Sequence, residues 1–281
     1  MRGSLPGSGE NSVSGGAAGS MMPGSPTGSG FGGEFEVDNS GEMELLLDRS
    51  HSCPVCGAEF TTRVLRAGKA ASNGMDMDLR PRFKNIDVIK YWVLECPVCG
   101  YADMQKIFSQ VNKKELPLLK ENRAGRNSEA VPEEGIRSYA EAFRKYKSVL
   151  RCNLIRGAKS SRRAYAALCT AWLLRGWRES LEEGGKTVGE KDPMSENEEN
   201  KFLSYAVKFF KDAEQKEDFP ISDMGEATYD YLMAALSYKL DNPANAQQYV
   251  FRALQNKEIK TGLRVKAEDL RDLLRKEKKR V

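Results

Sequence analysis

The pentapeptide Cys-Pro-Val-Cys-Gly occurs twice, at residues 53–57 and 96–100, and this repetition constrains the fold more than any other feature. Two residues between the cysteines let both sulfurs of a pair reach one centre. Two such pairs supply the four thiolates of a tetrahedral metal site. Pro54 and Pro97 stiffen each turn, while Gly57 and Gly100 accept the positive φ that closes it. Amides of such a turn point at the sulfurs and disperse their charge. Disulfides or unrelated buried thiols would leave the shared Pro and Gly offsets unexplained. The expected ligands are therefore Cys53, Cys56, Cys96 and Cys99.

Zinc is the expected ion and iron the runner-up, because paired loops of this kind also describe rubredoxin. Rubredoxins are typically acidic, whereas basic residues slightly outnumber acidic ones over residues 41–125. Four thiolates leave a zinc ion no open coordination position, so the site reads as structural. A chain of 281 residues accommodates about two domains at ~150 residues each. No apolar run approaches the ~18 residues that span a bilayer, and Met1-Arg2 leads into Gly, Ser and Pro rather than a signal segment. Thiols in metal spacing suit a reducing compartment, so the expected location is the cytoplasm, without membrane association. A net charge of +4 is too small to argue for a nucleic-acid partner.

Composition divides the chain into three parts. Residues 1–40 are Gly, Ser and Pro with almost no core-forming side chains, which predicts a disordered tail. Residues 41–112 are expected to form a small β-rich module of zinc-ribbon or rubredoxin-like type, with strands near 43–47, 60–65 and 88–94. Between the knuckles runs a long excursion containing a loop at 68–74 and then Asp76-Met77-Asp78-Leu79-Arg80-Pro81. Residues 113–281 are expected to be all α. Ile136, Tyr139, Ala140, Phe143, Tyr146, Val149 and Leu150 share one helical face. Further helices are expected at 164–177, 201–215, 226–240, 244–255 and 262–276, with a polar loop over 179–197. Ala206, Phe210 and Ala213 set a small-large-small spacing that Ala246, Val250 and Ala253 repeat, with Ala142, Tyr146 and Val149 as a looser copy. This is the pattern of the second helix in a tetratricopeptide-type hairpin, against an ordinary helical bundle as the plain alternative. The expected class is α+β: the zinc module, then a tetratricopeptide-like array.

Asp76 to Pro81, Tyr91-Trp92-Val93 and the second knuckle with its flank, Cys96-Pro97-Val98-Cys99-Gly100-Tyr101-Ala102, resemble an uncharacterised bacterial family, a domain of unknown function. Its members carry paired Cys-Pro-x-Cys-Gly knuckles, a D-x-D segment and a helical C-terminal half. The first knuckle here reads Cys53-Pro54-Val55-Cys56-Gly57-Ala58-Glu59-Phe60, and the resemblance spans about residues 50–255. Many members place a proline where this chain has Val88 after Asp87. The resemblance implies the fold and the metal but no reaction.

Outside the cysteines, Asp76 and Asp78 are the candidates for activity. At i and i+2 of an extended segment they face one side, close enough to share a cation or to raise one pKa. The plainer reading is that Arg80 or Arg82 pairs with them and pins the loop to the ribbon. His51, the single histidine, reads as a surface residue because four cysteines complete the site, and one histidine excludes most triad and His-dependent acid–base mechanisms. There is no phosphate loop, dinucleotide fingerprint or nucleophile elbow. Cys152 and Cys169 read as core filler. Arg151, Arg156, Lys159, Arg162 and Arg163, with the basic stretch from Lys257, read as a solvated cap and tail, with an electrostatic contact to RNA, DNA or an acidic protein as the alternative. The expected function is a protein or peptide partner bound on the helices, where Tyr165, Trp172, Tyr229 and Tyr231 line the surface or pack between helices. The alternatives are a nucleic-acid-binding ribbon that uses Arg80, Arg82 and Lys84, or an iron electron carrier or enzyme that uses Asp76 and Asp78.

Overall fold

The computed structural model describes residues 40–122 and 135–278. Except for Ser40, the expected tail lies outside them. The N-terminal part is three two-stranded antiparallel hairpins. Strands β1 (Leu46–Ser52) and β2 (Glu59–Leu65) pair from Leu46↔Leu65 to Ser52↔Glu59. β3 (Ser72–Met75) pairs with β4 (Pro81–Phe83), and β5 (Val93–Glu95) with β6 (Ala102–Met104). Each Cys-Pro-Val-Cys-Gly segment is the turn of a hairpin, β1–β2 for the first and β5–β6 for the second. The D-x-D segment begins the β3–β4 turn.

Two strand expectations need correction. Residues 43–47 are mostly a 3-10 helix, Ser40–Leu45, and β1 begins only at Leu46. Residues 88–94 open as a 3-10 helix, Val88–Tyr91, before β5. The Asp87 carboxylate accepts the Ile89 N–H at 3.1 Å, and this local bond offers the backbone an alternative to a ladder. The Asp87 turn thus forms here with Val88, not a proline, as the next residue.

Among the described residues seven helices follow: α1 (Glu115–Glu121), α2 (Tyr139–Ile155), α3 (Ser160–Glu183), α4 (Glu196–Lys216), α5 (Glu226–Lys239), α6 (Pro243–Gln255) and α7 (Thr261–Lys278). Ser138, Ser195 and Asn242 cap α2, α4 and α6 by accepting the N–H three residues on, at 3.1, 3.3 and 3.1 Å, and Pro243 stands at the start of α6. The loop expected from 179 begins only after Glu183, so Glu179 is a helical residue. From Ala164 to Trp177, α3 is buried on nearly every side, the mark of a central helix. It packs against α2, α4 and the Val88–Tyr91 turn.

Ala206, Ala213, Ala246 and Ala253 are all 0% exposed, on α4 and α6, which lie against α3 and α5. One apolar core joins Leu46, Ile89, Tyr91 and Val93 of the strand segment to α2 through α7. A second gathers around the cysteines. All described residues belong to one compact unit, residues 35–281. Among them no helix is long and apolar enough to cross a membrane.

Candidate metal centre

The two knuckles fold alike because they carry the same residues. In the first, Gly57 N–H donates to Cys53 O at 2.9 Å and Cys53 N–H to Ala58 O at 2.9 Å. In the second, Gly100 N–H donates to Cys96 O at 2.9 Å and Cys96 N–H to Tyr101 O at 2.8 Å. Gly57 and Gly100 close the turns at φ +77° and +72°, the left-handed region that glycine enters at least cost. The turns bring Cys53 Sγ to 3.6 Å from Cys99 Sγ, and Cys56 Sγ to 3.6 Å from Cys96 Sγ. All four sulfurs lie within 4.8 Å of one another. A tetrahedral ion with bonds of about 2.3 Å holds its sulfurs about 3.8 Å apart, so the four positions fit a single metal ion. None of the six cysteines is in a disulfide.

Thiols this close compete for protons. Hydrogen bonds from the Cys53 and Cys99 thiols hold Cys96 down as the thiolate, against the effect of burial. The Cys96 sulfur in turn holds Cys53 up at about 12, and Cys53 together with Cys96 pushes Cys99 up. A bare cluster therefore keeps protons that a cation displaces. The surroundings are apolar: Val55, Phe60, Leu94, Tyr101, Phe108 and Leu119 pack around the sulfurs. His51 is not a free surface residue as expected. It is half-buried, its ring 5.8 Å from Phe60 and 6.5 Å from Phe108. Burial, then the Arg49 charge, lowers its pKa.

The second knuckle is bolted to the helices through two carboxylates that sequence reasoning passed over, Glu95 and Asp103. Glu95, next to Cys96, accepts from Arg144 Nη1 at 2.6 Å and Ser148 Oγ at 2.7 Å, both on α2. Asp103, fully buried on β6, meets Arg156 Nη2 at 2.8 Å and Arg162 Nη2 at 2.7 Å and accepts the Tyr101 hydroxyl at 3.1 Å. The Cys152 sulfur of α2 accepts the Ala102 N–H at 3.4 Å. Cys152 is core as expected, and so is Cys169, at 0% exposure. The basic cap needs correction: Arg156 is 4% exposed, neutralised against Asp103 rather than solvated. The only sequence signal was a charged residue on either side of a knuckle.

The D-x-D segment is engaged by arginines, and chiefly by one that sequence reasoning missed. Arg175 of α3 grips Asp78 with Nη1 at 2.9 Å and Nη2 at 2.6 Å, reaches Asp76 at 3.0 Å, and donates to Glu199 of α4 at 2.7 Å. Trp172 Nε1 donates to Asp78 at 3.2 Å. Arg82 pairs with Asp76 at 2.7 Å and with Glu179 at 2.6 Å, while Arg80 pairs with Glu179 at 2.8 Å and Asp87 at 3.1 Å. The loop is pinned to α3 through Trp172, Arg175 and Glu179, while Arg80 and Arg82 also make the expected pairs within the strand segment, with Asp76 and Asp87. Burial works to raise the Asp78 pKa, but the Arg175 hydrogen bonds and charge outweigh it and hold the carboxyl below the ordinary range. That is the reverse of a raised acid.

Arg80 is 3% exposed, so of the three cations suggested for phosphate contact only Lys84 is exposed. Trp172, Tyr229 and Tyr231 are buried, with Tyr165 half-buried. Tyr231 also donates to Met77 O at 2.8 Å.

Comparison with protein families gives one match over most of the chain. The family described as "Uncharacterized protein conserved in bacteria (DUF2225)" matches residues 46–279, and the chain belongs to it. Comparison with curated proteins and with solved structures gives no match.

Proposed function

For this member of a bacterial family, we propose that the cysteine cluster holds one structural Zn²⁺ and that the protein acts by binding a protein or peptide partner on its helices. The sulfur spacing carries the metal reading. Four thiolates within 4.8 Å of one another suit zinc and leave no position for a water nucleophile. On this reading the hairpins are a zinc-ribbon-like module. Short hairpins have little core of their own, and zinc in comparable small peptides contributes about 10–16 kcal/mol.

The helical half is read as two tetratricopeptide-like pairs, α3–α4 and α5–α6. Burial of Ala206, Phe210 and Ala213, and of Ala246, Val250 and Ala253 at the same spacing, supports this. Phe251 and Val265, 60% and 51% exposed on α6 and α7, supply apolar anchors for a partner. The cytoplasm, a reducing compartment, suits six cysteines outside any disulfide. A nucleic-acid role is disfavoured because Arg80 and Arg82 are already paired with carboxylates. Metal analysis of the purified chain tests the first half: about one zinc per chain is expected, whereas iron with visible thiolate absorption would favour electron transfer. A pull-down from the native host with wild type and Phe251→Asp tests the second. Partners kept in full by the variant would refute this choice of surface.

A further inference from the structure

Three of the four sulfurs are shut away and one is not. Cys53, Cys96 and Cys99 are 2%, 0% and 4% exposed, whereas Cys56 is only half-buried. Cys56 Sγ lies 3.6 Å from Cys96 Sγ, across the gap between the knuckles. A disulfide holds its sulfurs at about 2.05 Å, so a small movement joins them.

The two knuckles differ in how firmly they are held. Glu95 and Asp103 fasten the second to Arg144, Arg156 and Arg162 of the helices. The first is the tip of the β1–β2 hairpin, where Ser52, Gly57 and Glu59 are exposed. The fixed knuckle thus carries the buried Cys96, and the hairpin tip carries the accessible Cys56.

We propose that Cys56 is an oxidation site for peroxide, through which the centre releases its ion. The inference rests on the zinc reading above. A metal-held cysteine stays deprotonated at neutral pH, and oxidation follows thiolate character and exposure. The Cys56 thiolate attacks one peroxide oxygen and the O–O bond breaks. The sulfur loses two electrons and becomes sulfenic acid, while the other oxygen leaves as hydroxide. The Cys96 thiolate then attacks the Cys56 sulfur, the S–S bond forms, and a second hydroxide leaves. Two ligands are consumed, and Cys53 and Cys99 alone do not retain the cation. A dithiol reductant restores both thiolates by exchange.

The test uses the full-length protein loaded with zinc, its metal content measured first, and then titrated with hydrogen peroxide. A chromogenic chelator reads released zinc, dimedone traps sulfenic acid, and peptide mass spectrometry after alkylation maps each cysteine. The expected result is one zinc released per Cys56–Cys96 disulfide, dimedone on Cys56, and recovery with dithiothreitol and zinc. A first disulfide between Cys53 and Cys99, whose sulfurs are also 3.6 Å apart, would overturn the assignment. So would oxidation of Cys152 or Cys169 with zinc retained. A chain that takes up no zinc before peroxide is added would instead refute the zinc reading, and this inference with it.

Discussion

Replacing Arg175 by Met should be among the most damaging single changes outside the cysteines. The side chain is 6% exposed and serves Asp78, Asp76 and Glu199, whose side chains are 0%, 19% and 4% exposed. Methionine fills much of the same volume but removes the guanidinium from Asp78 in a site closed to water, while Glu199 keeps Arg178. Breaking a buried pair from one side costs about 3–5 kcal/mol. For a chain of this size 1 kcal/mol shifts the melting temperature by roughly 2–4 °C, so the loss is large against ordinary scatter. Urea unfolding followed by tryptophan fluorescence and far-ultraviolet circular dichroism measures it. A second variant, Asp78→Asn, and the double variant close a thermodynamic cycle. Because the two residues touch, the double loss should fall short of the sum by about 0.5–3 kcal/mol.

The pH profile supplies an independent check. In the wild type Asp78 has a folded pKa below its unfolded value. Its contribution is therefore complete above the unfolded pKa of about 3.9 and is lost as pH falls through the lower folded value. Without Arg175 the largest influence left on Asp78 is burial, which raises its pKa. The variant's deficit should then shrink as pH falls from neutrality toward the carboxylate range. A loss under about 1 kcal/mol, with parallel pH profiles, would refute the view that Arg175 carries the junction.

Further outcomes follow from the same structure. Gly176→Ala, a change that normally stabilises a helix interior by about 0.5–1 kcal/mol, should destabilise, because a Cβ there meets the Asp87 carboxylate and the Arg80 guanidinium; thermal melting decides the sign. Ala246→Leu should cost roughly 1–3 kcal/mol by overpacking the α5–α6 contact, measured by urea midpoint. Asp103→Asn should weaken zinc binding about 10–100-fold by loosening the second knuckle, read by chelator competition. In an anisotropy titration at physiological salt, no appreciable RNA or DNA binding is expected. Micromolar affinity that falls steeply with salt and disappears in an Arg80, Arg82 and Lys84 to Ala variant would overturn that.

The cysteine cluster was legible in the sequence because a knuckle is a local object. Proline, a two-residue spacer and a glycine at positive φ fix each turn, whatever the rest of the chain does. The helices from Tyr139 onward were legible for a related reason, since the 3.6-residue period records which face is buried. Short apolar runs carry no such period, and residues 88–94 looked like a strand until the Asp87 cap made Val88–Tyr91 a 3-10 turn. The central position of α3 was equally hidden, because burial on nearly every side weakens the periodic signal. Partner choice among charges depended wholly on the tertiary structure. Asp78 has Arg80 two residues away, yet it binds Arg175, 97 positions on, and Asp103 binds Arg156 and Arg162. Sequence lists the ions but not their distances. In a site that excludes water, the guanidinium that arrives with two aligned donors wins, and only the packing of α3 against the hairpins decides which one arrives.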